Sequence, residues 1–307
     1  MNYGQKSRTG ATILLCFITL VFMGIAGILS IKLSHQLQLL GELKSNIQTF
    51  QTNKEEQKMV LETYNEGVQS LQSEIETVKM DLQEAQSKYP ELAKAMNENE
   101  PKYAYLTFDD GPSNNTSIIL DFLKANQIKA TFFVIGNEKF DEVYKRIVEE
   151  GHTLALHTNT HKYDEIYTSV NAFLEDIDTL SDHLEEVTGV KPDILRFPGG
   201  SNNTISVRYG GSDIMKQVIA EIEKQGLHYF DWNVDSSDAS LKYPPKDLIV
   251  NSVLEGAEGK NRAFVLMHDA TIKTTTVDAL PEIVEGLRKQ GFILDRITSD
   301  TVPVQFR

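Results

Sequence analysis

A lone cysteine, Cys16, in a chain of 307 residues excludes a disulfide framework. The residues before it, Ile13-Leu14-Leu15, lack the small side chains of a lipoprotein signal, so Cys16 reads as a small apolar filler. Cationic side chains are scarce: 30 Lys and Arg face 44 Asp and Glu, for a formal net charge of -14. That deficit argues against nucleic acid as a partner, because such affinity comes mainly from cationic contacts to phosphate. Tryptophan is reduced to Trp232 alone. Between residues 33 and 89 there is no proline, and the only glycines are Gly41 and Gly67, so little in that stretch would break a long helix.

What is present divides into three zones. In the first, residues 1–32, Lys6 and Arg8 precede an uncharged, mostly apolar run over 11–31, which Lys32 closes. About 20 apolar residues cross a bilayer as a helix, and a cleaved signal peptide has a shorter apolar core of about 7–15. The run therefore predicts a single-pass anchor with its basic tail inside and everything after it outside the cell. Ala26-Gly27 leaves cleavage as the alternative.

In the second zone, residues 33–96, apolar side chains recur at steps of three and four. Leu40, Leu43, Ile47 and Phe50 form one run, and Leu61, Tyr64, Val68, Leu71, Ile75, Val78, Leu82 and Ala85 form another. This heptad seam predicts a coiled-coil stalk and, through it, a homo-oligomer, with Lys54 and Gln57 interrupting the register. A single helix packed on the third zone is the alternative. A straight helix over 33–86 would reach on the order of 80 Å at about 1.5 Å per residue. Pro90 and a polar linker at 97–101 end it.

The third zone, residues 102–307, alternates strand-like and helical runs. The strands are expected at 103–108, 130–136, 153–157, 194–198, 228–233, 263–268 and 292–297. Amphipathic helices are expected at 117–126, 141–150, 169–188, 212–225, 246–258 and 277–290. Such alternation implies an α/β fold of parallel strands with right-handed crossovers. Periodicity alone leaves a closed barrel and a doubly wound sheet both open.

Ionisable groups gather where these strands end: Asp109-Asp110, His157 with His161, Arg196, Asp231 with Asp235, and His268-Asp269. In α/β folds ligand and catalytic groups collect at the carboxyl ends of strands. Taken singly, Asp-Asp-Gly is a common turn and a lone histidine is usually structural. Five strand ends in phase are a different matter. His157 and His161 with one carboxylate make a three-ligand site for a divalent metal, open to water. A second carboxylate beside them suits a general base, and a distant histidine a general acid. His35, His152, His183 and His228 lack such company and read as structural or solvated. Trp232 suits either core packing or stacking on a sugar ring.

Four ordered motifs carry a resemblance. Thr107-Phe108-Asp109-Asp110-Gly111-Pro112, His157-Thr158-Asn159-Thr160-His161, Arg196-Phe197-Pro198-Gly199-Gly200 and Leu266-Met267-His268 resemble those of the polysaccharide deacetylases, carbohydrate esterases with a NodB homology domain. The resemblance spans about 102–297 and implies a distorted (β/α) barrel of about seven parallel strands. It also implies hydrolysis of an N-acetyl amide on a sugar polymer. By that resemblance Asp110, His157 and His161 bind the metal, typically zinc, with cobalt or other divalent transition metals as alternatives. Asp109 is then the general base, Arg196 holds it, and His268 protonates the departing amine. The backbone N–H of Gly199 serves the oxyanion, and Pro198, Gly199, Trp232 and Leu266 line the substrate site.

Two departures stand out. The family often has Tyr at the place of Gly199. A further family motif often reads Asp-x-x-Asp-Trp, where this chain has Asp235-Ser236-Ser237-Asp238-Ala239. Asp235 is the expected partner of His268, with Asp231 as the alternative. The leading expectation is deacetylation of N-acetylglucosamine in peptidoglycan beside the membrane. Chitooligosaccharide, xylan, a muramic-acid unit or a non-sugar amide would change the substrate. A catalytically idle wall-binding scaffold would change the class.

Overall fold

The computed structural model describes residues 101–306 and scattered positions between Lys54 and Lys88. The contact pattern divides the chain between Ala95 and Met96. In the N-terminal unit the described positions are helical and exposed, and Thr77 Oγ1 donates to Ser73 O one turn back. The apolar run over 11–31, His35 and the heptad seam lie outside the described residues. Among the described residues no helix is long and apolar enough to cross a membrane.

The C-terminal unit is α/β. In chain order it comprises β1 Lys102–Asp109, α1 Asn114–Ala125, β2 Thr131–Val134, α2 Asp141–Glu149, β3 Thr153–Leu156, α3 Tyr163–Ile166 and α4 Val170–Thr188. There follow β4 Ile194–Leu195, α5 Val207–Gly210, α6 Ile214–Lys224, β5 His228–Tyr229, β6 Val234–Asp235, α7 Lys246–Ala257, β7 Arg262–His268, α8 Thr274–Lys289 and β8 Phe292–Asp295. All pairings are parallel, and the sheet runs β5-β4-β3-β2-β1-β7-β6. The eighth strand, β8, pairs with the first half of β1, where Lys102–Tyr105 meet Phe292–Asp295. Beyond it β2 takes over, with Thr107–Asp109 against Thr131–Phe133. The expected parallel layout is therefore present as a curled, seven-strand path, a half-barrel with β5 and β6 at its two ends.

One expected strand differs. The run over 228–233 is not continuous: β5 stops at Tyr229, and β6 pairs instead with β7 through Val234↔Val265. The cause is polar. The carbonyls of Phe230 and Asp231 accept from the Arg196 guanidinium at 3.0 Å each, and Asp231 N donates to Val304 O. Backbone groups spent in this way cannot continue a ladder.

Strand parity sorts the core. Successive side chains of a strand point to opposite faces. On β1, Ala104, Leu106 and Phe108 join the large cluster under the helices, while Tyr105 joins an inner cluster with Phe133, Ala155, Ile194, Phe230, Phe264 and Ile297. The same parity turns Asp109, His157, Arg196 and His268 to the inner face where their strands end. The helices are delimited by their own residues. Ser113 and Thr116 form a reciprocal capping box on α1, and Ser169 Oγ accepts from Ala172 N at the start of α4. Gly189, at φ 73°, closes α4 in the left-handed region. On α4, Phe173, Ile177, Leu180 and Leu184 are the buried helical stripe.

Phe264 is fully buried and stacks on Tyr105 at 4.6 Å and Phe230 at 6.1 Å. Phe264→Ala should destabilise the unit by about 3–5 kcal/mol through lost burial and a residual cavity. Urea unfolding with an unchanged m-value checks this.

Candidate active site

The site lies at the carboxyl ends of β1, β3, β4 and β7, and Arg196 organises it. This side chain is fully buried at the end of β4. Its Nη1 donates to Asp109 Oδ1 at 2.8 Å and to Thr107 Oγ1 at 2.7 Å, and Thr107 Oγ1 in turn donates to Val265 O. Nε and Nη2 take the two carbonyls of the β5 exit, and the guanidinium carbon lies 4.1 Å from the Phe133 ring centre. Arg196 O faces the other way and accepts from His157 Nδ1 at 2.8 Å.

That contact fixes the His157 tautomer. With Nδ1 as donor, Nε2 carries the lone pair and points to Asp110 Oδ1 at 3.5 Å and Asp109 Oδ2 at 3.8 Å. Burial lowers the His157 pKa against the opposing pull of Asp109 and Asp110. A metal needs that neutral form. His161 Nε2 lies 3.4 Å from the same Asp110 oxygen. One ligand atom from each of Asp110, His157 and His161 falls within 4.8 Å of the others. Asp110 Oδ1 is buried yet has no hydrogen-bond partner among the described residues, and both imidazoles approach it. Two imidazoles and an unsatisfied carboxylate oxygen are the donor set of a catalytic divalent-metal site, so the residues fit the metal expected from the sequence.

Backbone strain and polar anchors hold this candidate donor set. Asp110, Thr158 and His161 all adopt positive φ, at 71°, 72° and 54°, which side-chain-bearing residues rarely do. Asp176 on α4 accepts from Asn159 N at 2.5 Å and from Thr160 Oγ1 at 2.8 Å, gripping the loop between the two histidines. Gly111 packs on the carboxylate of Asp269, where a Cβ would overlap both oxygens. Asp269 is fully buried and accepts from Thr116 Oγ1 at 2.5 Å. Burial first, then Asp110 and Asp109, push its pKa up to about 7.

His268 ends β7, the strand beside β1, with register Asp109↔His268. Its partner corrects the expectation. His268 Nδ1 lies 2.7 Å from Asp238 Oδ1, and Asp238 Oδ2 accepts from His268 N at 2.7 Å and Thr276 Oγ1 at 2.9 Å. Asp235 is exposed; its Oδ1 accepts from Ser237 N at 2.7 Å and shapes the turn in which Ser237 takes φ 61°. Asp231 is excluded too. It is buried and accepts from Ser201 N, Ser201 Oγ and Phe306 N, so it ties the glycine turn to the C-terminal segment. The Asp-x-x-Asp spacing was the signal available, and its second carboxylate is the one that reaches His268. Burial alone would lower the His268 pKa, but Asp238, with smaller help from Asp109 and Asp110, raises it to about 9.

Pro198 and Gly199 form the corner of a β-turn closed by Gly200 N donating to Phe197 O at 2.8 Å. Gly199, at φ 78°, supplies the left-handed third position that a type II turn needs, with proline at the second. Gly199 is exposed and its N–H donates to no described residue, whereas Pro198 is buried and its carbonyl accepts from Tyr167 Oη at 3.0 Å. Trp232 is half-buried, edge-on to Phe306 at 5.0 Å, and Gly200 sits against both rings. Leu266 is buried on the inner face of β7 two residues before His268. The remaining described histidines are elsewhere: His152 Nδ1 accepts from Ala130 N, His183 pairs with Asp141 at 2.9 Å, and His228 is exposed.

This unit is similar to known proteins. The polysaccharide deacetylase family model matches residues 96–228. Over 213 residues the chain is 33% identical to the peptidoglycan-N-acetylglucosamine deacetylase of Bacillus cereus, covering 66% of this chain and 72% of that protein. It is 34% identical over 205 residues to the chitooligosaccharide deacetylase of a Bradyrhizobium species, covering 62% and 86%. The crystal structure of the catalytic domain of peptidoglycan N-acetylglucosamine deacetylase from Eubacterium rectale superposes with a TM-score of 0.65 at 37% identity, covering 67% of this chain and 93% of that one. The chain belongs to the polysaccharide deacetylase family, the carbohydrate esterases with a NodB homology domain, and is a hydrolase of that class.

In metal-free protein the His268 imidazole should titrate near pH 9 by NMR. Its folded pKa is raised above the unfolded value of about 6.5, so the stabilisation from its pairing is complete below about pH 6.5 and is lost as pH rises through the folded value. Asp238→Asn should bring the imidazole below about 7, since burial then acts unopposed by the pair.

Proposed function

We propose that this protein removes N-acetyl groups from N-acetylglucosamine in peptidoglycan, using a divalent transition metal, with zinc the best match to the donor set. The observation that carries the reading is the Asp110–His157–His161 cluster with Asp109 beside it and His268 paired in register with Asp109 on the neighbouring strand. The substrate assignment draws on the named activities of the Bacillus cereus and Eubacterium rectale relatives. The reading includes an anchor over 11–31 and a self-associating stalk over 33–96, which would hold the enzyme outside the membrane beside the wall.

Bound to Asp110, His157 and His161, the metal would polarise the acyl carbonyl and make water nucleophilic near neutral pH. The protein supplies the rest. Asp109 has Oδ1 committed to Arg196, and Oδ2 is placed to take a proton from the attacking water. As the water oxygen bonds to the acyl carbon, the Gly199 N–H donates to the oxygen on which charge develops. His268, held protonated by Asp238, gives its Nε2 proton to the amine nitrogen as the C–N bond breaks. Acetate and the free amino sugar are the products.

The test uses the full chain, purified in detergent, with zinc, on peptidoglycan, chitooligosaccharide and acetylated xylan. Acetate release should be greatest from peptidoglycan and absent in His157→Ala, whose metal content should fall below stoichiometry by elemental analysis. Release from the other polymers but never from peptidoglycan would refute the substrate. No release from any of them by folded, metal-loaded protein would favour the wall-binding scaffold.

A second variant separates base from ligand. Asp109→Asn should keep the metal and lose about 10²–10⁴-fold in kcat, the range for a positioned general base. Near-normal turnover in that variant would remove Asp109 from the mechanism.

A further inference from the structure

The turn at Gly199 leaves a space, and Tyr163 fills it. A Cβ built on Gly199 would lie 2.7 Å from Tyr163 Oη and 3.6 Å from its Cε1. The hydroxyl therefore occupies the place where a side chain at 199 would begin, beside a backbone N–H that donates to no described residue. Any side chain at 199 and a tyrosine at 163 in this pose exclude each other.

The ring is well fixed. Tyr163 opens α3 two residues after His161 and stands edge-on to that imidazole at 5.7 Å and 77°. Its other neighbour is Tyr167, at 5.5 Å, which is fully buried and anchored on Pro198 O of the same turn. The Tyr163 hydroxyl itself makes no hydrogen bond to any described residue. A rigid phenol with an unused donor thus sits beside an unused backbone donor, next to the metal-ligand cluster. Preorganised donors of this kind stabilise charge that develops during reaction, without reorganising at that moment.

We propose that Tyr163 Oη is a second protein donor to the acyl oxygen of the substrate, acting beside the Gly199 N–H. The proposal rests on the deacetylase reading above and deepens it. Tyr163 donates to the oxygen as the acyl carbon becomes tetrahedral, and keeps its own proton throughout. It also rebuilds, from α3, the wall that glycine at 199 leaves open. Selectivity for the acyl group then depends on α3 as well as on the turn.

The test compares full-chain wild type with Tyr163→Phe, which keeps the ring and removes only the donor. Acetate-release kcat should fall about 10²- to 10³-fold with KM changed less than about threefold, as for loss of one oxyanion donor. Metal content should be unchanged. Affinity for a glucosamine methylphosphonamidate, whose tetrahedral oxygens mimic the reacting centre, should fall by the same factor as kcat/KM. Unchanged kcat, or a rise in KM alone, would overturn the proposal. A wild type that releases no acetate would defeat the deacetylase reading instead. The phosphonamidate arm then still judges Tyr163, since equal binding by the two proteins would overturn its role.

Discussion

The site depends on one buried cation. Arg196 is fully enclosed, and desolvating a guanidinium costs several kcal/mol, so it persists only because each donor edge finds an acceptor. Those acceptors belong to different elements: Asp109 and Thr107 on β1, and the carbonyls of Phe230 and Asp231 beyond β5. Through Thr107 the network reaches β7, and through its own carbonyl it reaches His157 beyond β3. Arg196 thus joins Asp109, the proposed general base, His157, a candidate metal ligand, and the broken strand β5–β6 in one array. Removing it would strand a buried carboxylate at Asp109, and breaking such a pair typically costs about 3–5 kcal/mol. An effect of that size would reach the fold as well as the chemistry.

Much of this was legible because strands have a period of two. The runs 103–108 and 263–268 are expected strands with Asp109 and His268 at their ends, the pleat turns both to the inner face, and the motifs supplied the candidate metal ligands. The alternation of strands and helices likewise fixed a parallel α/β fold. The sheet has eight strands where seven were expected: the run over 228–233 gives way to β5 and β6, and the run over 292–297 becomes β8, which pairs with β1 beside the main path.

What the pattern missed was decided by polar contacts between distant segments. The run over 228–233 looks like one strand, but Arg196 and Val304 take its backbone groups, and the ladder stops at Tyr229. Asp235 and Asp238 are equivalent by residue type. Only the turn distinguishes them, and Asp235 makes that turn by accepting from Ser237 N, which carries Asp238 back under His268. Tyr163 left no trace in the motifs because its hydroxyl meets Gly199 across 36 positions of chain.

The functional side chains share a further constraint: each has one end committed and one end left to react. Asp109 gives Oδ1 to Arg196 and keeps Oδ2. His157 gives Nδ1 to Arg196 O and keeps Nε2, and His268 gives Nδ1 to Asp238 and keeps Nε2. The committed ends fix ring orientation and tautomer, so little remains to be ordered when substrate arrives. They also divide the labour. The candidate base is paired with a buried cation and the candidate acid with a buried anion, and the Asp238 carboxylate raises the His268 pKa to about 9, which keeps that imidazole a proton donor. In the proposed mechanism, the same residues without those committed ends could still offer a metal its donors but would not assign the proton transfers.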